Sequence, residues 1–126
     1  MSISRFEDII AWQKARELNK ILYIALKQNR DYYYKDQILR ASLSIMNNIA
    51  EGFGRKSEKE FIHFLSISNG SCNEVRSMLY LGLDFNYFDD KKFSELYKLT
   101  TEIGCIINGL SKSIKLNPTP RTRTKY

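Results

Sequence analysis

Five polar side chains, Gln37, Ser44, Asn48, Glu51 and Arg55, recur at intervals of seven, four, three and four residues, the spacing that places residues on one face of a helix. Arg40 and Asn47 flank the row. A mixture of amide, hydroxyl, carboxylate and guanidinium serves either as a hydrogen-bonded network that fixes helix register or as a surface that reads a partner. Just beyond it, Arg55, Lys56 and Lys59 precede a helix start. Cations beside the free N–H groups of a helix N-terminus make an anion-binding corner, here opposed by Glu51, Glu58 and Glu60. Glu51 and Glu74 are candidates to meet across two helices, with a buried ion pair to Arg40 or Arg55 expected over acid–base chemistry.

Other reactive groups are sparse. His63 is the single histidine and Cys72 and Cys105 the only cysteines, too few for a tetrahedral Cys/His zinc site. Glu60-x-x-His63 has the form of one half of a di-iron motif but no second copy. His63 falls opposite a packing stripe, which makes it a solvent-exposed histidine. Both cysteines fall on apolar stripes and read as small buried hydrophobes. There is no glycine-rich phosphate loop after a strand and no nucleophile elbow. Neither a cofactor nor enzymatic activity is expected.

These residues must be carried by helices. Ala11, Ala15, Leu18, Leu22 and Ala25 are spaced four, three, four and three apart, giving a first helix over about residues 7–28. The segment 29–31 breaks the pattern, and a second helix spans about 33–53, closed by Gly52-Phe53-Gly54 through glycine's tolerance of the left-handed conformation. Ser57 followed three residues later by Glu60 is a capping box. It opens a third helix to about Leu83 with the stripe Phe61, Phe64, Leu65, Ser68, Cys72, Val75, Leu79 and Leu83. Residues 84–87 form a turn, and Asp89 or Asp90 caps a fourth helix whose core face is Leu96, Leu99, Ile103, Ile107, Leu110 and Ile114. Asn117-Pro118 stops it. The expected fold is all-α, an antiparallel up-down-up-down four-helix bundle over residues 1–117, with a loose basic tail over 118–126. At 126 residues such a domain removes about two thirds of its unfolded surface from water. The longest apolar run, Ile21 to Leu26, is too short to span a bilayer, and Arg5, Glu7 and Asp8 interrupt the N-terminus, so a cytoplasmic address is expected.

The faces of these helices speak to partners. On the second helix Ala41, Gly52, Ile45, Ile38, Ile49, Ser42, Phe53, Met46, Leu39, Ala50 and Leu43 cover an arc of about 200°, about twice the stripe a surface helix needs. The excess predicts a subunit interface, with Leu39, Leu43, Met46, Ala50 and Phe53 as its residues and a homo-oligomer as its product. Sixteen aromatics, among them Tyr32-Tyr33-Tyr34 and Phe85, Tyr87 and Phe88, fit either interface anchors or rings lying over the bundle ends. Of the net charge of +6, +5 belongs to residues 103–126. An excess so placed marks either a solvated tail or a polyanion contact, with Arg40, Arg55, Lys56 and Lys59 on the body and Arg121, Arg123 and Lys125 on the tail as the nucleic-acid candidates.

The run from Gln37 to Arg55, QILRASLSIMNNIAEGFGR, resembles the signature of four-helix bundle proteins encoded in 23S ribosomal RNA intervening sequences, which are themselves similar to the accessory variability determinant of diversity-generating retroelements. Phe6-Glu7-Asp8-Ile9 with Trp12-Gln13-Lys14-Ala15 resembles the family's opening, and Glu60-Phe61 through Phe64-Leu65-x-Ile67 to Gly70-Ser71 and Glu74 its third helix, so the likeness covers about residues 6–115. Leu39-Arg40 stands where the family often has two arginines, and Met46 where it often has proline. The resemblance implies an antiparallel bundle assembled as a pentameric ring, with basic surface toward RNA or DNA and, in retroelements, a reverse transcriptase as partner. Two readings therefore stand: a non-enzymatic oligomer that binds nucleic acid, or a scaffold that recruits a protein such as a reverse transcriptase.

Overall fold

Short polar side chains decide where three of the four helices begin. A computed structural model describes residues 3–117, and among them every regular element is helical: a 3-10 turn Phe6–Asp8, α1 Ile10–Leu26, α2 Tyr32–Phe53, α3 Glu58–Asp84 and α4 Asp90–Leu116. Asp31, Ser57 and Asp89 each accept a hydrogen bond from the backbone N–H three residues on, satisfying a donor the helix itself leaves orphaned. Ser57 also donates its hydroxyl to Glu60 Oε2 at 3.2 Å. The first helix has no such cap. Ile9 is extended, so the expected start near Glu7 is instead the 3-10 turn followed by α1.

The end of α2 differs from expectation. Gly54 is right-handed at φ −75°, and the positive φ belongs to Asn86 in the α3–α4 link, at 62°, where asparagine tolerates the left-handed region. Gly52 serves packing: a Cβ there would stand 2.6 Å from the Phe64 Cβ and 3.0 Å from the Phe61 ring. Only a bare backbone lets α2 and α3 approach this closely.

Cross-helix bonds give the topology. Tyr34 donates its hydroxyl to the Met78 carbonyl at 2.7 Å, and Ser68 donates to the Ile45 carbonyl at 2.7 Å. With Gly52 against Phe64, positions rising along α2 meet positions falling along α3. Cys72 with Thr100 and Arg76 with Tyr97 set the same antiparallel register for α3 and α4. Asn19 reaches the Ser42 carbonyl, and Lys14 pairs with Glu102. α1 thus packs on both α2 and α4, and the four helices close into the up-down-up-down bundle.

Leu18, Leu22, Ile38, Ile45, Ile49, Leu65, Leu79, Leu96 and Ile103 are fully buried at its centre. The chain's own core therefore hides much of the broad apolar arc of α2, namely Ile38, Ala41, Ser42, Ile45, Ile49 and Gly52. What it leaves over is narrower. Leu39, Met46, Ala50 and Phe53 are half-buried and Leu43 is 48% exposed, a row at four, three, four and three residue intervals alongside α1.

The aromatics divide at the far bundle end. Tyr34 and Phe88 are buried within the chain, so neither is an interface anchor, whereas Tyr32, Tyr33 and Phe85 remain exposed. Tyr34 packs edge-on against Phe85 and Tyr87, and Tyr87 donates its hydroxyl to the Asp31 carboxylate. That bond, with the Tyr34 N–H, holds Asp31 below the ordinary carboxylate value of 3.8. A lowered folded-state pKa contributes stability that is complete above the unfolded value and fades as pH falls through the folded one. Tyr87→Phe is therefore expected to lower the urea midpoint at neutral pH, and the gap from the parent protein should narrow in acid. A gap independent of pH would show that the bond to Asp31 is not its source.

Candidate nucleic-acid interface

The polar row on α2 splits into a structural middle and a charged end. Ser44 and Ser71 share a hydrogen bond at 2.8 Å between α2 and α3, and Asn48 donates to the Ser44 carbonyl and hydroxyl oxygens at 2.8 and 2.9 Å. These bonds tie α2 to α3 at Ser44 and Ser71 and hold Asn48 to the preceding turn. Gln37 is half-buried at the opposite end of the row, and Gly52 is buried under Phe64.

Glu51 and Arg55 pair at 2.8 Å, as one of the expected alternatives, but the pair lies in solvent at 54% and 43% exposure and so contributes at most about 1 kcal/mol. The Arg55 guanidinium also lies 4.8 Å from the centre of the Phe64 ring. Glu74 does not join them. The antiparallel register sets Gly52 beside Phe64 and Ser44 beside Ser71, which carries Glu74 toward the level of Arg40, about ten residues of helix away from Glu51's partners. The two carboxylates therefore form no catalytic dyad.

Cations collect at the end of the bundle where α2 stops and α3 starts. Arg55, Lys56 and Lys59 are exposed there. The α3–α4 register, set by Asn69 beside Gly104 and Cys72 bonded to Thr100, brings the last turns of α4 level with the first turn of α3. Lys112 and Lys115, both exposed, thereby join the same end. They belong to the C-terminal charge excess, and only the return of α4 reveals their neighbours. Among the described residues Lys56, Lys59, Lys112 and Lys115 have no carboxylate within ion-pair reach.

The remaining candidates are placed differently. Arg40 is exposed on the outer side of α2, about 22 Å along the helix from Arg55 at 1.5 Å per residue, and belongs to no cluster with it. Arg121, Arg123 and Lys125 lie outside the described residues. At the helix terminus read as an anion corner, Ser57 takes the Glu60 N–H and Glu60 accepts from the Ser57 hydroxyl.

Other chemistry is scant. Cys72 is buried, donates to the Thr100 carbonyl, and is pushed up to about 11 by that burial, so it stays a thiol at neutral pH. Cys105 is exposed, contrary to the expectation that both cysteines are buried. It sits almost opposite the core face of α4. His63 is exposed, packed edge-on with Phe64. Among the described residues there is no group of three or more potential metal ligands, and no helix is long and apolar enough to cross a membrane.

Comparison with known proteins bears on this arrangement. No curated protein matches the chain. A crystal structure of a protein of unknown function from the S23 ribosomal protein family of Bacteroides thetaiotaomicron superimposes with a TM-score of 0.76 at 24% identity, covering 82% of this chain and 99% of that one. It shares the four-helix fold. The family model described as 23S rRNA-intervening sequence protein matches residues 7–109, which takes in the first three helices, most of α4 and the Asn-Ile-Ala-Glu-Gly segment at residues 48–52. The chain belongs to the 23S rRNA-intervening sequence protein family.

Proposed function

We propose that the protein is a non-enzymatic homo-oligomer that binds RNA or DNA through phosphate contacts made by one basic end of each bundle. The observation that carries this reading is the convergence of Arg55, Lys56, Lys59, Lys112 and Lys115 on one end, with the four lysines lacking carboxylate partners among the described residues. Oligomerisation is supported by the residual row Leu39, Leu43, Met46, Ala50 and Phe53, too apolar and too regular for an idle surface. A pentameric ring, as the family resemblance implies, would repeat the basic end around its axis and add weak contacts into useful affinity. The tail cations Arg121, Arg123 and Lys125 would extend each contact.

The test is a salt titration. Affinity for RNA should fall linearly on a log–log plot against salt, because phosphate neutralisation releases counterions, and Lys56→Ala with Lys59→Ala should lower the slope by about two. No binding even at low ionic strength would exclude the reading. The second reading, a scaffold that recruits a protein such as a reverse transcriptase, is favoured by Tyr32, Tyr33 and Phe85, exposed together at the opposite end. Unchanged capture of that protein by a Tyr33→Ala, Phe85→Ala variant would count against it.

A further inference from the structure

We infer that the outer face between α3 and α4 is a stacking platform for the unpaired bases of single-stranded nucleic acid. This deepens the nucleic-acid reading above and rests on it. Four side chains form the platform. Phe93 and Tyr97, one turn apart on α4, stack at 5.6 Å with 24° between their planes. Tyr80 on α3 lies 5.2 Å from Phe93 and 5.7 Å from Tyr97, and Arg76 sits 4.9 Å over the Tyr97 ring.

The cluster is held in position and yet is not buried. Arg76 donates to the Tyr97 hydroxyl at 2.9 Å, and the Tyr97 ring meets Tyr80 edge-on and Phe93 nearly face to face. Tyr80 nonetheless keeps 51% of its surface in water, while Phe93, Tyr97 and Arg76 are only half-buried. A fixed, half-wet array of aromatic rings and a guanidinium is what an unpaired base stacks on, whichever base it is.

Charge selects the occupant. Among the described residues Arg76 has no carboxylate partner, and Lys98 is exposed beside Tyr97. Glu102, on the rim of the shallow depression that Tyr97, Lys98 and Thr101 also line, is tied to Lys14 at 3.2 Å. The acids nearest along the chain are Glu95, between Phe93 and Tyr97 and paired with Lys92 at 3.0 Å, and Glu74, two positions from Arg76, while Asp84 and Asp90 stand toward the far end of the bundle. A strand leaving the platform is therefore drawn the other way, toward Lys112 and Lys115. From Tyr97 to Lys112 is about 22 Å of helix, which a stacked strand crosses in about six nucleotides. A second copy of the chain fits this face less well, because the surplus apolar row on α2 carries no carboxylate to meet Arg76 and Lys98.

The experiment compares fluorescein-labelled oligouridine, about twelve nucleotides long, with an RNA duplex of equal length, using the full chain and Tyr80→Ala, Tyr80→Leu and Tyr80→Phe. Tyr80→Ala and Tyr80→Leu should each weaken single-strand binding about tenfold and leave duplex binding and the salt slope unchanged. Tyr80→Phe should retain single-strand binding. Unaltered single-strand affinity in both Tyr80→Ala and Tyr80→Leu, with the parent binding both ligands, overturns the platform and leaves the nucleic-acid reading intact. Equal weakening toward both ligands, or a drop in oligomeric mass, also overturns it, in favour of a structural role or a contact between copies. A parent protein that binds neither ligand at low salt removes the nucleic-acid reading and the platform together.

Discussion

Gly82→Ala is expected to lower the free energy of unfolding by about 2 to 3 kcal/mol, the upper part of the usual range for overpacking a filled core. A Cβ at this position would run into the Phe88 ring and stand 2.5 Å from the Tyr34 hydroxyl. Neither neighbour can retreat at small cost. Phe88 and Tyr34 are both buried, and the Tyr34 hydroxyl is committed to the Met78 carbonyl. The Gly82 carbonyl also receives the N–H groups of Tyr87 and Phe88, so backbone movement would disturb the turn between α3 and α4. Gly70 and Gly109 supply the control, since a Cβ at either meets nothing within 4 Å. Alanine there should stabilise by about 0.5–1 kcal/mol through helix propensity. Urea melts with equal slopes and midpoints displaced in opposite directions would establish the contrast; a neutral Gly82→Ala would refute the account of this end.

Leu43→Lys combined with Met46→Lys is expected to leave a single-chain species, with nucleic-acid affinity falling about a hundredfold or more as the copies cease to act together. Leu43 is 48% exposed and Met46 half-buried, so the lysine stems can lie along the surface with their charges in water and the fold should survive. Light scattering reads the mass and circular dichroism the helix content. A parent chain that already runs as one copy at micromolar concentration would sink the assembly and the additive binding built on it.

Much of the architecture is legible in the residues, because helix starts are local chemistry. Ser57 with Glu60, and Asp89, can be recognised as caps without knowing what lies across the core. Ile9 offers no such signal, and the first boundary is accordingly misplaced. Gly52-Phe53-Gly54 reads as a conformational stop, yet Gly52 is required by Phe64, a residue in another helix; close approach is a property of pairs and leaves no mark on one segment. The same limit explains the site. Glu51 and Glu74 look like partners until the register separates them, and Lys112 and Lys115 look remote from Lys59 until α4 returns beside α3. Tyr33 and Tyr34 show a finer limit, since a shift of one position, about 100° around a helix, decides between water and core.

An even number of alternating helices returns the chain to the side from which it set out. Ile3 and Asn117, the outermost described residues, thus flank the same end as Lys56 and Lys59. A bulky label placed at Ile3 or Asn117 would crowd that surface, so a null result with such a label would report obstruction. Labels are better grafted into the link over residues 27–31, at the opposite pole.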